Sequence, residues 1–468
     1  MASVEGKKKR RLRGDDEDES DNWRFFERRR KTDEENAVGS TSGAHGSAAD
    51  CGSVNYINIK DNYPVYETAR ASSHSKCSEA CRFEDSAASV TQYSKVVHSP
   101  LVIPLLFGYD RQTKSVKDST SKGKATNDTI VYVTPCGRSL TNLRALDTYL
   151  IAVGSFIPIG CFSFQPDLDI ARNFVVPRGK VQASRVITNA FAPNEISAFN
   201  CHDDSLPGKF IYVTNSIKST ATSERIEREQ RKQRVDGCSC KGYCEPAIDE
   251  GGVSNCGCMG RLSAQSSGYG YGLLNRSQRF ILECTDACGC LPLCRNRVSV
   301  NAIPWRVMIY YYPNKRWGVR STCDIPRGSF IGLYQGQILT ETELDREERT
   351  DTFFLTLKSL DIAGTSVSDD SENASMSGPY GKLFSIDASR FGNFTRFLNH
   401  SCTPNLYAQP IFREHCDPLL YDMGFFAKRN IPAGEELTWD WKRSMVREKE
   451  RPVECFCGSE NCRKDRRQ

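Results

Sequence analysis

The chain has 468 residues, a formal net charge of +5 and a hydrophobic fraction of 38%. At roughly 100–200 residues per domain this length predicts two to four domains, and the low apolar content indicates sizeable solvated segments. A basic start followed by an apolar signal core is lacking, as is an apolar run of about 18 residues, so we expect a soluble intracellular protein rather than a secreted or membrane-spanning one. In that setting we expect the 21 cysteines to stay reduced, and clustered cysteines indicate metal ligands.

Residues 1–92 are predicted to form a disordered tail. A basic run at residues 7–13 (KKKRRLR) is followed at once by an acidic run at residues 15–21. A basic heptad of this kind is typical of a nuclear import signal, although a solvated tail is the plainer interpretation. Residues 36–50 are rich in Gly, Ser and Ala and cannot build a core.

Residues 93–165 are predicted to form a small α+β domain. Its predicted elements are a strand at 101–109, a loop with one arginine and four lysines at 111–124, a strand at 129–133, a Thr-Pro-Cys-Gly-Arg turn at 134–138 and a helix at 140–151. Leucines recur at helical spacing along that helix, and Ser139 or Thr141 is able to cap its start.

The order of strand, basic loop, strand, Pro-Cys-Gly turn and amphipathic helix resembles a methyl-CpG-binding domain. That family reads guanine edges with arginines, because the guanidinium fork matches the O6 and N7 acceptors of guanine. In this chain the loop is mostly lysine, and Thr141 stands where the second arginine is expected. Lysine binds phosphate without reading sequence, so we expect general DNA contact or a structural remnant rather than methyl-CpG recognition.

Residues 166–236 are predicted to be a connector. Short strand-like pieces occur at residues 174–176 and 210–213, and a charged helical stretch covers residues 218–234. The simplest interpretation of those charges is a solvated helix face.

Residues 237–298 contain nine cysteines with the pattern C-x-C-x3-C-x11-C-x-C-x25-C-x3-C-x-C-x3-C. They are Cys238, Cys240, Cys244, Cys256, Cys258, Cys284, Cys288, Cys290 and Cys294. Three tetrahedral zinc ions need twelve ligand positions, and nine thiolates supply twelve when three of them bridge two metals. The alternative is two separate four-cysteine sites with one spare thiol, but the close C-x-C pairs favour a shared cluster. Such a cluster is structural because no coordination position stays open.

A bridged cluster of this kind carries three excess negative charges, since nine thiolates outweigh three dications. Four nearby arginines are able to offset that charge, namely Arg261, Arg276, Arg295 and Arg297.

The end of the chain carries three further cysteines, Cys455, Cys457 and Cys462, in the spacing C-x-C-x4-C. This trio is one ligand short of a tetrahedral zinc site, and Cys402 in the segment Asn-His-Ser-Cys is the obvious fourth ligand. The tail is therefore predicted to fold back over Asn399 and His400 and to close a pocket there.

Five features follow one another in a fixed order: the nine-cysteine module, residues 315–320 (KRWGVR), 399–402 (NHSC), 436–440 (ELTWD) and the cysteine tail. This order resembles the pre-SET, SET and post-SET arrangement of histone-lysine methyltransferases, and the upstream module narrows the resemblance to the SETDB-type (bifurcated-SET, SUV39-like) group. The resemblance implies a mixed, β-rich SET fold with a pseudoknot over residues 299–445, where a short polar insertion at 358–381 replaces the long one of that group. It also implies a post-SET tail at 451–468, with three zinc ions in the pre-SET cluster and one in the tail.

The implied reaction is methyl transfer from S-adenosylmethionine to a histone lysine, most specifically the ninth-residue lysine of histone H3, in chromatin silencing. The lysine amine must first lose a proton, which costs roughly 4 kcal/mol near pH 7. A narrow apolar channel disfavours the charged amine and aligns it with the methyl donor. The expected partners are the histone H3 tail and DNA bound through the methyl-CpG-binding-like domain, and the expected location is the nucleus, on the chromosome.

Carried over to this chain, the resemblance implies that the cofactor-binding residues are Arg316, Trp317, Gly318, Asp351, Phe353, Arg396, Asn399 and His400. Here Arg316 stands in place of the usual first glycine of the cofactor loop.

The catalytic positions implied by the resemblance are Trp441, Phe353 and Trp439. Trp441 replaces a tyrosine whose hydroxyl orients the amine, and Phe353 replaces a channel tyrosine, with Phe354 or Tyr380 as alternatives at that place. Loss of a positioned dipole of this kind commonly costs ~10²–10³ in rate, which the indole N–H of Trp441 is able to offset in part. The competing hypothesis is a catalytically impaired chromatin module that binds a histone tail or DNA.

Overall fold

A computed structural model of the protein describes residues 51–65, 74–83, 85–117, 126–218, 222–224, 227–228, 237–244, 256–260, 268–340, 343, 353–357, 360, 384–413, 417–441 and 454–464. The predicted import signal at residues 7–13, most of the predicted insertion at 358–381 and the cofactor position Asp351 lie outside the described residues. None of the helices within these ranges combines the length and the apolar character that a membrane span needs.

Short helices and strands alternate in the first part of the described chain, so the predicted disordered tail at residues 1–92 is wrong for its described residues, 51–65, 74–83 and 85–92. These helices and strands are β1 (Ser53–Tyr56), α1 (Ile59–Asn62), α2 (Ala87–Val96), α3 (Ile103–Leu106), β2 (Asp110–Lys117), β3 (Thr126–Val133), β4 (Ser139–Leu140), α4 (Leu143–Val153), β5 (Arg172–Val175), β6 (Ala183–Val186), β7 (Ser197–Asn200), β8 (Ile211–Tyr212), β9 (Ile217–Lys218) and α5 (Gly257–Gly260).

Strands dominate the second part of the described chain. They are β10 (Ile281–Leu282), β11 (Val307–Tyr312), β12 (Arg316–Ser321), β13 (Phe330–Leu333), β14 (Gln337–Thr340), β15 (Phe354–Leu357), β16 (Phe384–Asp387), β17 (Phe391–Gly392), β18 (Asn399–His400), β19 (Leu406–Phe412), β20 (Asp422–Ala427) and β21 (Glu436–Trp439). Short 3-10 helices add Glu79–Cys81, Pro100–Val102, Ile159–Cys161, Arg178–Lys180 and Phe394–Phe397.

Residues 85–164, called the N-terminal module below, combine the antiparallel sheet β2-β3-β4 with helix α4. Their core is aromatic. The Phe162 ring lies 5.1 Å from the rings of both Tyr109 and Tyr132, and Tyr149 of α4 meets Tyr109 edge-on at 6.1 Å. The predicted strand at 129–133, the turn at 134–138 and the following helix are thereby confirmed, to within a few residues.

Three local predictions in this module are wrong. Residues 101–109 are not a strand: Pro100 and Pro104 stand in the first turns of a 3-10 helix and of α3, where a missing backbone N–H costs little. The first half of the predicted basic loop is strand, since β2 reaches residue 117, and residues 118–124 lie outside the described residues. Helix α4 is capped by neither Ser139 nor Thr141, because the Asn142 side chain accepts from Ala145 N at 2.9 Å.

Three larger sheets build the rest of the described structure. The orders are β18-β21-β12-β11-β7-β6, β10-β19-β20-β13 and β15-β16-β14-β9. Their strands are apolar on the inner faces, and Ile309, Val319, Phe425 and Leu437 are completely buried. Burial of such side chains stabilises the fold by about 1.5–3 kcal/mol each. The predicted β-rich fold is confirmed.

Residues 166–218, predicted as part of a connector, contribute strands to the larger sheets. Strand β7 runs parallel to β11 with Ala198 opposite Ile309, and β9 runs parallel to β14. The strand-like pieces at 174–176 and 210–213 correspond to β5 and β8. Strand β8 pairs with β17, directly before the 3-10 turn that carries Arg396.

One pair of cysteines departs from the expectation of reduced thiols. Cys51 and Cys201 are joined by a disulfide across 150 residues of sequence. The backbone N–H of Cys51 also donates to the Tyr310 hydroxyl at 3.1 Å, so this bond fastens the start of the described chain to the sheet that contains β11.

Buried polar groups attach the N-terminal module to the later sheets. Arg295, which follows the last cysteine of the nine-cysteine module, forms a 2.7 Å ion pair with Asp147 on α4. Arg306 donates to the carbonyls of Ser94 and Val97 at the end of α2, both at 2.8 Å. Paired and partly buried, these contacts fix the module in one orientation.

Candidate functional site

A cavity of about 840 Å³ opens where β12, β18 and β21 meet the 3-10 turn Phe394–Phe397. Most of the predicted site residues line it: Arg316, Trp317, Phe353, Arg396, Asn399, Trp439 and Trp441. Gly318 and His400 lie directly next to lining residues in the chain. The structure therefore brings together residues that are separated by more than 120 positions in sequence.

The first residues of β12 form one wall of the cavity. Arg316 adopts a φ of +63°, the left-handed region in which glycine is favoured. Arg316 thus adopts the backbone conformation that we expect of the glycine usual at this position. For a residue other than glycine, this conformation costs about 1–3 kcal/mol of folding free energy. Two residues on, a Cβ at Gly318 would lie 2.8 Å from Asn399 Nδ2, so glycine is required there for close approach.

Asn399 fastens the start of β12 to the opposite strand. Its Nδ2 donates to Glu436 Oε1 at 2.8 Å and to the Trp317 carbonyl at 3.2 Å. Glu436 in turn accepts from Lys315 Nζ at 2.8 Å. Since β18 runs parallel to β21 over two residue pairs, Asn399 lies beside Thr438 and its side chain is held in a single position.

His400 lies behind the cavity wall and is only 4% exposed. Its Nδ1 accepts from the backbone N–H of Trp441 at 3.1 Å, and its Nε2 lies 3.4 Å from Cys402 Sγ and 3.5 Å from Arg463 Nη2. The imidazole therefore links the first cysteine of the predicted tail site to the backbone of the predicted catalytic position Trp441.

Aromatic rings surround the deepest part of the cavity. The rings of Trp439 and Trp441 lie 6.5 Å apart, and Trp439 meets Phe425 edge-on at 5.2 Å. The indole N–H of Trp441 donates to the Leu398 carbonyl at 3.3 Å. It is therefore already engaged within the chain, and the idea that it replaces a tyrosine hydroxyl toward substrate is not supported.

Sequence reasoning missed Tyr334, which lines the same cavity. Its hydroxyl donates to the Phe353 carbonyl at 2.9 Å, and burial raises the pKa of Tyr334 above its ordinary value, so the phenol stays neutral. Tyr334 directly follows β13 and precedes Gly336, where a Cβ would lie 2.3 Å from the Asp387 carbonyl oxygen. The sequence signal for Tyr334 is a tyrosine that directly follows an apolar strand and stands two residues before a glycine.

Arg396 places a cation in the cavity wall. Its guanidinium carbon lies 3.9 Å from the Phe353 ring centroid and 4.5 Å from that of Phe210, and the residue is 8% exposed. Stacking on aromatic faces stabilises a guanidinium away from water. Lys209, Lys315 and Arg316 also line the cavity and outnumber its lining carboxylate, Asp203, so the cavity suits an anionic group.

The nine predicted cysteines converge in a cluster. Each belongs to at least one set of four whose sulfur atoms lie within 4.8 Å of one another, and Cys238 and Cys284 recur in several sets. The Sγ–Sγ distances that join Cys238 to Cys244 and Cys258 to Cys288 are 3.6 and 3.5 Å. Tetrahedral zinc–thiolate bonds of about 2.3 Å imply separations of about 3.8 Å. The donor set therefore fits zinc, and its shared members favour a bridged cluster over two separate sites.

The predicted charge compensation is present in part. Arg297 Nη2 lies 3.6 Å from Cys290 Sγ, whereas Arg295 is paired with Asp147 and stacks over Tyr243 at 4.9 Å. Arg261 lies outside the described residues.

The cysteine tail folds back onto the segment at residues 399–402. The sulfur atoms of Cys402 and Cys455 are 3.8 Å apart, and the Arg463 backbone N–H donates to Cys402 Sγ at 3.4 Å. The Arg463 side chain binds Asp440 at 2.8 Å, beside Trp441. Three thiolates from the tail and one from Cys402 match the donor set of a structural zinc ion.

Comparisons with known proteins agree with this geometry. The model of the SET domain matches residues 316–442, and that of the Pre-SET motif matches residues 189–297. The chain is 25% identical to the histone-lysine N-methyltransferase eggless of Drosophila pseudoobscura pseudoobscura over 470 residues, which cover 83% of this chain and 36% of that protein. It is 32% identical to the histone-lysine N-methyltransferase, H3 lysine-9 specific SUVH3 of Arabidopsis thaliana over 291 residues, covering 59% of this chain and 42% of that protein.

Among solved structures, Arabidopsis thaliana SUVH6 in complex with SAM is similar at 30% sequence identity and a TM-score of 0.48, covering 60% of this chain and 55% of that one. The chain spans about two fifths or less of the length of the two relatives named above. The two matched segments show that the chain carries a pre-SET motif followed by a SET domain.

Proposed function

We propose that the protein methylates a histone lysine with S-adenosylmethionine as the methyl donor, and that the ninth-residue lysine of histone H3 is the target. The observation that carries this proposal is the cavity in which the Arg316–Trp317 segment, Asn399 and an aromatic cage meet. Support comes from the SET and pre-SET matches and from relatives whose names state histone-lysine methylation, one of them H3 lysine-9 specific.

The cavity walls fit the chemistry of S-adenosylmethionine. That molecule carries a carboxylate, an adenine ring and, when bound, supplies an electrophilic methyl group on a sulfonium. Lys315, Arg316 and Arg396 offer cations for the carboxylate, and Trp317 offers an aromatic face for the adenine. The backbone at Asn399 and His400, held by β21, completes the predicted binding set together with Gly318 and Asp351.

The aromatic part of the cavity prepares the lysine amine. Trp439 and Trp441 exclude water, which disfavours the ammonium form and favours release of its proton to solvent. The Tyr334 hydroxyl donates its proton to the Phe353 carbonyl, so its oxygen is free to accept an N–H of the amine and to orient the lone pair. We therefore assign the orienting role to Tyr334, beside the predicted positions Phe353, Trp439 and Trp441.

The metal ligands are proposed to hold four zinc ions, three in the nine-cysteine cluster and one in the tail. Closed thiolate sites of this kind stabilise folded structure and leave no position for a substrate. In the tail, zinc would hold residues 454–464 against the cavity through Cys402 and Arg463.

The N-terminal module is proposed to be methyl-CpG-binding-like but not to read methyl-CpG. Arg111, the one arginine of the predicted basic loop, donates to the carbonyls of Gln165 and Leu168 at 3.0 and 3.3 Å. It is therefore turned toward its own chain. Exposed Lys114 on β2 remains for phosphate contact, which gives sequence-independent DNA binding on the chromosome in the nucleus.

The test is transfer of a labelled methyl group to histone H3 peptides by wild type, His400→Ala and Trp441→Tyr. A control peptide carries arginine in place of the ninth-residue lysine. Turnover by wild type on the first peptide alone, lost in His400→Ala, supports an enzyme of this specificity. A silent wild type that Trp441→Tyr revives would instead establish the competing function, a SET scaffold that binds chromatin without catalysis.

A further inference from the structure

A further group of metal-type donors lies outside the nine-cysteine cluster and the tail. His74, Cys77 and Cys81 come from one short segment, and Cys136 comes from the turn between β3 and β4. Their four donor atoms lie within 4.8 Å of one another. His74 Nε2 is 3.5 Å from Cys77 Sγ and 3.3 Å from Cys81 Sγ.

These separations are those of a tetrahedral metal site. Zinc bonds of about 2.0–2.1 Å to nitrogen and about 2.3 Å to sulfur imply N···S separations of about 3.5–3.6 Å. The two observed N···S distances, 3.5 and 3.3 Å, agree with that value to within a few tenths of an ångström. Three thiolates and one imidazole are a donor set that selects zinc among the common first-row ions.

The donors are positioned by hydrogen bonds from their surroundings. Arg138 Nη2 donates to the Ser75 carbonyl at 3.1 Å, and the Tyr149 hydroxyl donates to the Cys81 carbonyl at 3.0 Å. Both contacts tie residues 74–81 to the turn that carries Cys136 or to helix α4. Three thiolates around a dication leave one excess negative charge, and the neighbouring Arg138 is placed to offset it.

The segment that carries three of the donors is held by polar contacts and has no fully buried side chain among its described residues. In residues 74–83 every described side chain is exposed or only partly buried. An apolar core therefore cannot fasten this stretch to the N-terminal module. Metal ligation is the usual way in which a segment without a core acquires a fixed structure.

We propose that His74, Cys77, Cys81 and Cys136 bind one structural zinc ion that fastens residues 74–83 to the N-terminal module. All four ligands come from the chain, so the site is closed and supplies no reaction. It is independent of methyl transfer and adds one zinc ion to those of the nine-cysteine cluster and the tail.

The first test measures zinc per chain by elemental mass spectrometry on the reduced 468-residue protein. The double substitution Cys77→Ser with Cys136→Ser is compared with wild type and with Cys161→Ala, which removes a buried thiol of the same module. The expected result is a loss of one zinc ion per chain in the double variant and none in the control. Equal zinc content in the double variant and wild type overturns the proposal.

The second test uses wild type alone, so it does not depend on whether the variants fold. The reduced protein is alkylated before and after zinc removal by a chelator, and peptides that contain Cys77, Cys81 and Cys136 are quantified. Because these thiols are only partly buried, bound metal is what would protect them. At least tenfold slower alkylation in the zinc-loaded protein supports the site. Equal rates in the two states, or a disulfide among the three, overturn it.

Discussion

Removal of the Tyr334 hydroxyl is the most direct test of the proposed orientation of the substrate amine. Tyr334→Phe deletes one oxygen from the cavity and leaves the ring, with its 6.4 Å contact to Phe425, in place. The lost bond to the Phe353 carbonyl, 2.9 Å long, should destabilise the fold by only about 0.5–1.5 kcal/mol. Loss of a positioned dipole at the reacting group should lower kcat by roughly 10²–10³, equivalent to about 2.7–4 kcal/mol.

The two effects are separable in experiment. Single-turnover transfer from labelled S-adenosylmethionine gives the chemical rate, and calorimetric titration with the same molecule gives its Kd. The expected outcome is a large fall in rate with a Kd within a factor of three of wild type. Tyr407→Phe, a half-buried tyrosine away from the cavity lining, should change neither quantity. A Tyr334→Phe protein with full rate, or one whose rate falls only in step with cofactor affinity, would refute the orienting role.

Three further substitutions test other parts of the structure. Trp441→Tyr should raise the transfer rate, measured in the same single-turnover assay, because a phenol offers a hydroxyl to the amine whereas the indole N–H is already bound to a carbonyl; an unchanged or lower rate would contradict this. Gly318→Ala should weaken S-adenosylmethionine binding by roughly 5–150-fold in calorimetric titration, since overpacking costs about 1–3 kcal/mol. Gly179→Ala, where a Cβ meets nothing within 4 Å, should leave the Kd unchanged, and equal effects at both glycines would refute the close-approach argument. Burial lowers the pKa of His98 to about 4, although its bond to the Ile170 carbonyl acts against this, so only the unfolded chain gains a proton as the pH falls below about 6.5. The contribution of His98 to stability should therefore be complete above about pH 7.5 and fall by about 1.4 kcal/mol by pH 5.5 in urea unfolding. His98→Gln should lose that pH dependence, and a wild-type slope that persists in the variant would contradict the assignment.

The sequence was sufficient to predict features that depend on the spacing of neighbouring residues. The C-x-C and C-x3-C pairs identify metal ligands without knowledge of the fold, and all nine cysteines do converge. The tail cysteines likewise lie beside Cys402. In both cases only a few combinations of cysteines can supply four ligands to a tetrahedral ion, so the spacing restricts which residues lie together.

Features that depend on distant pairing were not accessible. Strands β7 and β9 have short and unremarkable sequences, and their roles follow only from parallel partners more than 100 residues away. The apolar stretch at residues 101–109 has the composition of a buried strand, yet its prolines start helical turns. In so short an apolar run, hydrophobic periodicity cannot distinguish a buried strand from helical turns.

The site at His74 depends both on local spacing, which the sequence shows, and on distant pairing, which it does not. The spacing H-x2-C-x3-C supplies only three ligands. The fourth, Cys136, lies 55 residues beyond Cys81, in a turn whose sequence resembles that of a methyl-CpG-binding domain. Only the fold of the N-terminal module brings the four atoms together.

The imidazole of His400 lies between the proposed tail zinc site and the proposed lysine channel, and a coupling between the two can be tested. His400 accepts from the backbone N–H of Trp441 with Nδ1, while its Nε2 faces Cys402 Sγ at 3.4 Å. His400→Ala leaves the partly buried Trp441 N–H without that acceptor, a loss of about 1–3 kcal/mol that frees the residues directly after β21 to move. Because all four predicted tail ligands remain in this variant, its zinc content should equal that of wild type while its transfer rate falls by about 5–150-fold. If zinc is lost together with activity, the histidine serves the metal site first and the channel only through it.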